Sequence, residues 1–248
     1  MPPARPSPGA RIEGARFTDQ DWAEAALADL VLVDCDIAGV VFSSAVLEGA
    51  KFERCRLADC RFSHADLREA TFEDCHFTGP AAGRGASFGF CRLEGARFAR
   101  CDLAHARFEG CELYDVRMED CQLLGATFAR VSFARAFGRK VERVAAELVG
   151  CNLALADLSG ARLPGCSLAR SRLSESDLSG ADLTGADLTR ADLFQAILDE
   201  ARLDGADLRG AEVSGLDLRR LASYQDLKIA ADQQFRLLDA IGIDVRPD

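Results

Sequence analysis

The chain has 248 residues, of which 48% are hydrophobic, and 40 acidic against 30 basic residues leave it at a net charge of −10. That length fits one large domain or two small ones with ample core, and the acidic balance argues against a nucleic acid or an anionic membrane as direct partner. No apolar run approaches a membrane span, and the opening MPPARPSPGA lacks the apolar core of a secretory signal, so the expected compartment is the cytoplasm.

Residues 1–34 are expected to form an N-terminal extension, partly disordered or an irregular cap. ARIEGARF (10–17) fits the pattern described next, but Gln20, Trp22 and Leu30 do not, and TDQDWAEAALADL suits a helix or an imperfect cap. From residue 35 to 220 a five-residue repeat takes over. In SDLSGADLTGADLTRADL (176–193), Leu178, Leu183, Leu188 and Leu193 recur every fifth position. Two residues before them stand Ser176, Ala181, Ala186 and Ala191. The same register covers large positions 37–77, 88–133 and 148–218, all Leu, Phe, Ile, Val or Met. Each has Ala, Cys, Ser or Val two residues earlier, Leu216 excepted.

Residues two apart on an extended segment point the same way, so the large residue and its small partner both face inward. The two residues after the large one turn a corner. Gly often takes the second place, as at Gly160 and Gly185, where a type II turn needs φ > 0. Short strand, corner, short strand, corner predicts an all-β fold: a right-handed quadrilateral parallel β-helix with four repeats per coil. Coils stacked at about 4.8 Å would make a rod on the order of 40 Å long.

All ten cysteines (35, 55, 60, 75, 91, 101, 111, 121, 151 and 166) hold the small inward position and read as core hydrophobes. From Phe42 to Phe128 the large position mostly alternates Phe and Leu, which puts Phe on opposite walls and balances the volume of each layer.

Two interruptions break the register. Between Phe77 and Phe88 the alternation stays in phase only as one face step, so about six residues of a loop at 78–87, with Arg84, bulge from one corner. A second loop at 134–147 carries Arg135, Arg139, Lys140 and Arg143 against Glu142, with Phe137 between them. It reads as a tolerated surface insertion or as a partner contact.

Asp157, Asp177, Asp182, Asp187, Asp192, Asp207, Glu212 and Asp217 all directly precede a large residue and so point outward. They read as a solvating surface or as an acidic track offered to a basic groove. After the repeat, residues 221–248 read as a short helix and an apolar segment that cap the open coil. Leu227, Phe235, Leu238, Ile241 and Ile243 exceed what one cap needs and suit a dimer interface. No catalytic, cofactor or metal site is expected. His64, His76 and His105 lie at outward positions without an adjacent nucleophile, and a regular solenoid offers no deep cleft.

FERCRLADCRFSHADLREATFEDCHF (52–77), the two loops, SFARAFGRKVERVAAELVGCNLALADLSG (132–160) and the tail DQQFRLLDAIGIDVRPD resemble the Qnr family of quinolone-resistance pentapeptide-repeat proteins. The resemblance covers about residues 40–248. It implies a tail-to-tail homodimer that binds the type II topoisomerases DNA gyrase and topoisomerase IV and shields them from quinolones or natural poisons. It also implies that the acidic rod mimics duplex DNA. The other reading of the same residues is a scaffold for some different protein, since the repeat alone names no partner.

Overall fold

Each repeat builds its own corner. The amide of Ala186 donates to the carbonyl of Leu183 at 3.0 Å, closing a four-residue turn in which Gly185 has φ +66°. Glycine adopts that sign without steric cost. The conformation persists where no glycine stands: Asp34, Ser44, His64 and Glu200 have φ of 53–59°. The coil therefore imposes the corner, at roughly 1–3 kcal/mol for each non-glycine residue held there.

A computed structural model, which describes residues 5–79, 85–138 and 141–243, winds these corners into a four-sided parallel solenoid. On the first face Arg11, Val31, Lys51, Thr71, Arg97, Arg117 and Glu147 stand in line on a seven-stranded parallel ladder. Single bridges continue that line through Ser167, Asp187 and Asp207 to Lys228. At about 4.8 Å per coil the column spans on the order of 50 Å. The second, third and fourth faces begin with Arg16, Asp21 and Ala26 and stack in the same way.

The rod exceeds the length expected because the coil begins before Cys35. Residues 10–34, expected as an irregular cap or helix, are regular coil: Arg11–Glu13 pairs with Val31–Val33, and Arg16–Thr18 with Asp36–Ala38. Trp22 and Leu30 are buried inward residues. Leu30 stands between Ala10 and Ala50 of the adjoining coils, which leave room for it. Trp22 heads the third-face phenylalanine stack, edge-on to Phe42 at 5.3 Å.

That stack runs Phe42, Phe62, Phe88, Phe108 and Phe128, with rings 4.7–5.0 Å apart and nearly parallel. On the opposite, first face Phe52, Phe72 and Phe98 do the same. All ten cysteines are free and buried. Six of them (35, 55, 75, 101, 121 and 151) form one ladder on the second face, and the last five each donate to a carbonyl of the coil beneath at 3.3 Å. Ser171 takes the next rung, its hydroxyl donating to the Leu148 carbonyl at 2.6 Å. On the other faces, burial pushes the thiol of Cys60 up to about 12 and that of Cys166 to about 11, so both stay protonated near neutral pH.

The interruptions leave the register intact. Arg61 bridges Ser87, a step of 26 residues, so six leave the coil at the corner between the second and third faces. Arg117 pairs with Glu147, a step of 30, so ten leave at the corner between the fourth and first faces.

The C-terminal end is capped by side chains. Gln233 is buried and donates from Nε2 to the carbonyls of Leu208 and Ala211 at 2.7 and 2.8 Å. Its Oε1 accepts from the Ala230 amide at 2.6 Å. Those groups have no further coil to bond to, and leaving them unpaired in the core would cost about 1–3 kcal/mol each. Leu237, on the helix Gln234–Ala240, covers the last apolar layer.

Candidate functional site: the hairpin edge and the C-terminal end

The ten surplus residues are a β-hairpin. Ala134–Phe137 pairs antiparallel with Val141–Val144, and Gly138 in the connection has φ +75°. The sequence carries a signal for it: two short segments, ARAF and VERV, separated by three residues that begin with Gly. The pairing sets Arg135 opposite Arg143 and Phe137 opposite Val141. Like charges placed opposite each other are unfavourable, but both guanidiniums lie over the Phe137 ring, at 5.6 and 5.5 Å from its centroid. Among the described residues neither arginine has a carboxylate within 4.0 Å. Phe137 and Val141 remain half in solvent. The structure thus brings Arg135, Phe137 and Arg143 together, whereas Arg139 and Lys140, and Arg84 of the smaller loop, lie outside the described residues.

At its base the hairpin packs Val144 against the core, and farther out it meets the rod through two side-chain contacts. Tyr114, one coil below, meets Phe137 edge-on at 5.7 Å and lies under the Arg135 guanidinium at 6.0 Å. On the coil above, Arg162 pairs with Glu142 at 3.1 Å. Arg135 also lines a groove with Glu48, Arg68, Glu69, Glu94 and Asp115. Sequence reasoning misses Tyr114 because it fills an ordinary corner position of the repeat.

The acidic residues do not form one track. Asp157, Asp177 and Asp217 belong to the third face, Asp182 to the fourth, Asp187 and Asp207 to the first, and Asp192 and Glu212 to the second. The reason is the winding itself: consecutive repeats occupy consecutive faces. These carboxylates also have a local duty. The Asp182 Oδ1 accepts from the Thr184 amide and hydroxyl at 3.1 and 2.6 Å, and Asp157 and Asp187 hold Ser159 and Thr189 in the same way. Such bonds to the residue two ahead fasten a turn, as Asp does at helix starts and loops. Asp192, Asp207, Glu212 and Asp217 each pair with an arginine. The Arg219 guanidinium holds the Asp217 carboxyl down at about 2. Among the described residues Asp157, Asp177, Asp182 and Asp187 have no such partner, and the last two flank the edge from which the hairpin leaves.

Of the five apolar tail residues, Leu227 packs against the core. Leu238 and Ile241 are half-buried, whereas Phe235 and Ile243 are 46% and 49% exposed. Tyr224 and Ile229 are exposed near the same end. On the terminal helix Phe235 faces away from the capping Leu237, whereas Ile241, four residues beyond Leu237, follows it on the capping side.

Three family models match: pentapeptide repeats in eight copies at residues 151–190 and 186–220, a pentapeptide repeat region at 10–80, and pentapeptide repeats in nine copies at 72–117. Among curated proteins none matches the chain. Among solved structures, a trypsin-treated form of QnrB1, a plasmid-mediated fluoroquinolone resistance protein, superposes with a TM-score of 0.79 at 27% identity. The match covers 86% of this chain and 99% of that one. A second trypsin-treated form gives 0.75 at 27% identity over 85% and 97%. Full-length QnrB1 gives 0.62 at 23% identity over 94% and 100% and shares the fold.

Proposed function

The chain belongs to the pentapeptide-repeat family, and from that premise we infer that it is a Qnr-like protein that binds DNA gyrase or topoisomerase IV and protects it from quinolones or natural poisons. The observation that carries this reading is the likeness to QnrB1 over 99% of that protein's chain. The repeat alone would fit a scaffold for any partner. The protein acts by binding, without chemistry of its own, in the cytoplasm where its target works.

Charge limits how the rod can imitate DNA. Duplex DNA carries one charge per about 1.7 Å of axis, whereas one face of this rod offers at most one acid per coil of about 4.8 Å. Mimicry therefore rests on shape and on one edge. The hairpin edge is the best placed, because a single partner can meet Asp182, Asp187 and the hairpin together.

The direct test is gyrase supercoiling in the presence of ciprofloxacin, with and without the protein. Restored supercoiling is expected; no restoration with either gyrase or topoisomerase IV leaves the scaffold reading. Charge placement is tested by Asp182→Asn with Asp187→Asn, against Asp157→Asn with Asp177→Asn on the third face. Asn keeps the turn-fastening oxygen, so folding should be unchanged in both. The first pair should weaken binding severalfold and flatten its salt dependence, because exposed charges act over a Debye length of roughly 10 Å at 0.1 M salt. The second should do neither. Equal losses from both pairs would mean that only net charge matters.

The exposed side of the terminal helix supports a homodimer built through the C-terminal end. Phe235→Ser with Ile243→Ser leaves the capping residues Gln233 and Leu237 in place and should yield a folded monomer by light scattering at micromolar concentration. A wild-type monomer at that concentration removes the dimer from the reading.

A further inference from the structure

We propose that Tyr114, a residue of the rod outside the hairpin, is the positioning residue that holds the hairpin as a preset arm. The proposal deepens the reading of the hairpin as a topoisomerase contact and rests on it for its functional half only.

A two-stranded hairpin standing alone in water is marginally stable. This one has a second handicap, since Arg135 and Arg143 face each other across it. Its strand residues Arg135, Ala136 and Phe137 are exposed, as are Val141, Glu142 and Arg143, so it has little core of its own. What holds it must come from the rod: Val144 packs against the core at its base, and farther out the described residues offer two side-chain contacts. The Arg162–Glu142 pair is 61% and 53% exposed at its side chains, and exposed ion pairs contribute little. The Tyr114 contact is of the stronger kind. The phenol ring is half-buried, meets Phe137 edge-on, and lies beneath the same guanidinium that covers Phe137. An edge-on aromatic pair outweighs an exposed ion pair, and the guanidinium that covers Phe137 and reaches the Tyr114 ring adds to it. Of the contacts beyond the base, Tyr114 therefore carries the larger share, and Arg162 adds direction from the other side.

Location makes this contact a seat. Tyr114 continues the column Glu48, Arg68, Glu94 at the fourth-face corner, and the hairpin leaves the coil directly above it. Two of those three are carboxylates, which the negative face of an aromatic ring does not attract, and Arg68 is engaged by Glu48 and Asp66. An aromatic residue at this one level gives the hairpin a fixed seat, and the groove beside it, where Glu48, Glu69, Glu94 and Asp115 outnumber Arg68, attracts Arg135. An arm preset in this way loses less freedom when it meets a partner.

Two readouts test this separately. Amide hydrogen exchange of residues 134–137 and 141–144 should quicken about tenfold in Tyr114→Ala, stay near wild type in Tyr114→Phe, and quicken less than about fivefold in Arg162→Ala. Coil amides should not change. The reversed pair Arg162→Glu with Glu142→Arg should return to the wild-type rate. Gyrase protection by Tyr114→Ala should require roughly tenfold more protein, with Tyr114→Phe unaffected. Unchanged hairpin exchange in Tyr114→Ala overturns the proposal. Faster exchange with unchanged protection keeps Tyr114 as the holder of the hairpin and removes the hairpin from the functional reading. Loss of protection in Tyr114→Phe as well would make the hydroxyl a direct contact and overturn the positioning role.

Discussion

Leu183→Asp should unfold the C-terminal half of the rod, while Asp182→Asn, one residue away, should melt close to wild type. Leu183 is fully buried, in line with the large residues of the coils above and below. A carboxylate there has no partner and no water, so it costs several kcal/mol, against a typical total stability of about 5–15 kcal/mol. In a solenoid the damage spreads, because each coil is stabilised chiefly by its neighbours. Asp182 faces outward, and the amide oxygen of Asn can accept the same two bonds from Thr184. Asp182→Ala, which loses them, should cost about 1 kcal/mol. Thermal unfolding followed by circular dichroism separates the three variants. Equal losses for Leu183→Asp and Asp182→Asn would refute the inward register on which the whole fold depends.

Deleting Ala134–Arg143 should leave a folded dimer that no longer protects gyrase. The ten residues removed match the surplus in the step from Arg117 to Glu147. Phe133 would then be followed by Val144 and Ala145 in the corner places and by Ala146 and Leu148 in the inward ones, the same order as any other repeat. Ala145 would have to adopt φ > 0, so Ala145→Gly added to the deletion should recover roughly 1 kcal/mol or more. Phe137 with its two guanidiniums is the kind of aromatic and arginine group that dominates protein contacts, so its removal should raise the protein needed for protection at least tenfold. A deleted rod with full protection would make the hairpin a passive insertion and leave the acidic edge alone to account for binding.

Most of the coil is legible in the amino-acid sequence. The inward register from Ile37 to Leu218, the buried cysteines, the facing walls of phenylalanine and the single-corner bulge after Phe77 all follow from the spacing of large and small residues. The N-terminal coils escape that reading because Trp22 and Leu30 break the size rule that the later repeats keep. Trp22 lies in the first described coil, edge-on to Phe17 and Phe42, and Leu30 is accommodated by Ala10 and Ala50. The candidate site is less legible. Composition picks out Arg135, Phe137 and Arg143, but not their hairpin, nor Tyr114 beneath it, since a corner residue carries no mark of what the next coil will place above it.

The sequence by itself determined the shape of the repeat and which side chains are inside. In a five-residue unit those choices are made between residues two to four apart, where alternation along the strand and the turn geometry leave one answer. Only the tertiary structure decided which surface residues are neighbours. Residues stacked on one face are 20, 21, 26 or 30 positions apart, depending on what has looped out between them. A run of aspartates at every fifth position, which looks like one acidic line along the chain, is therefore divided among four sides of the rod, because each corner turns the next aspartate to the adjacent face.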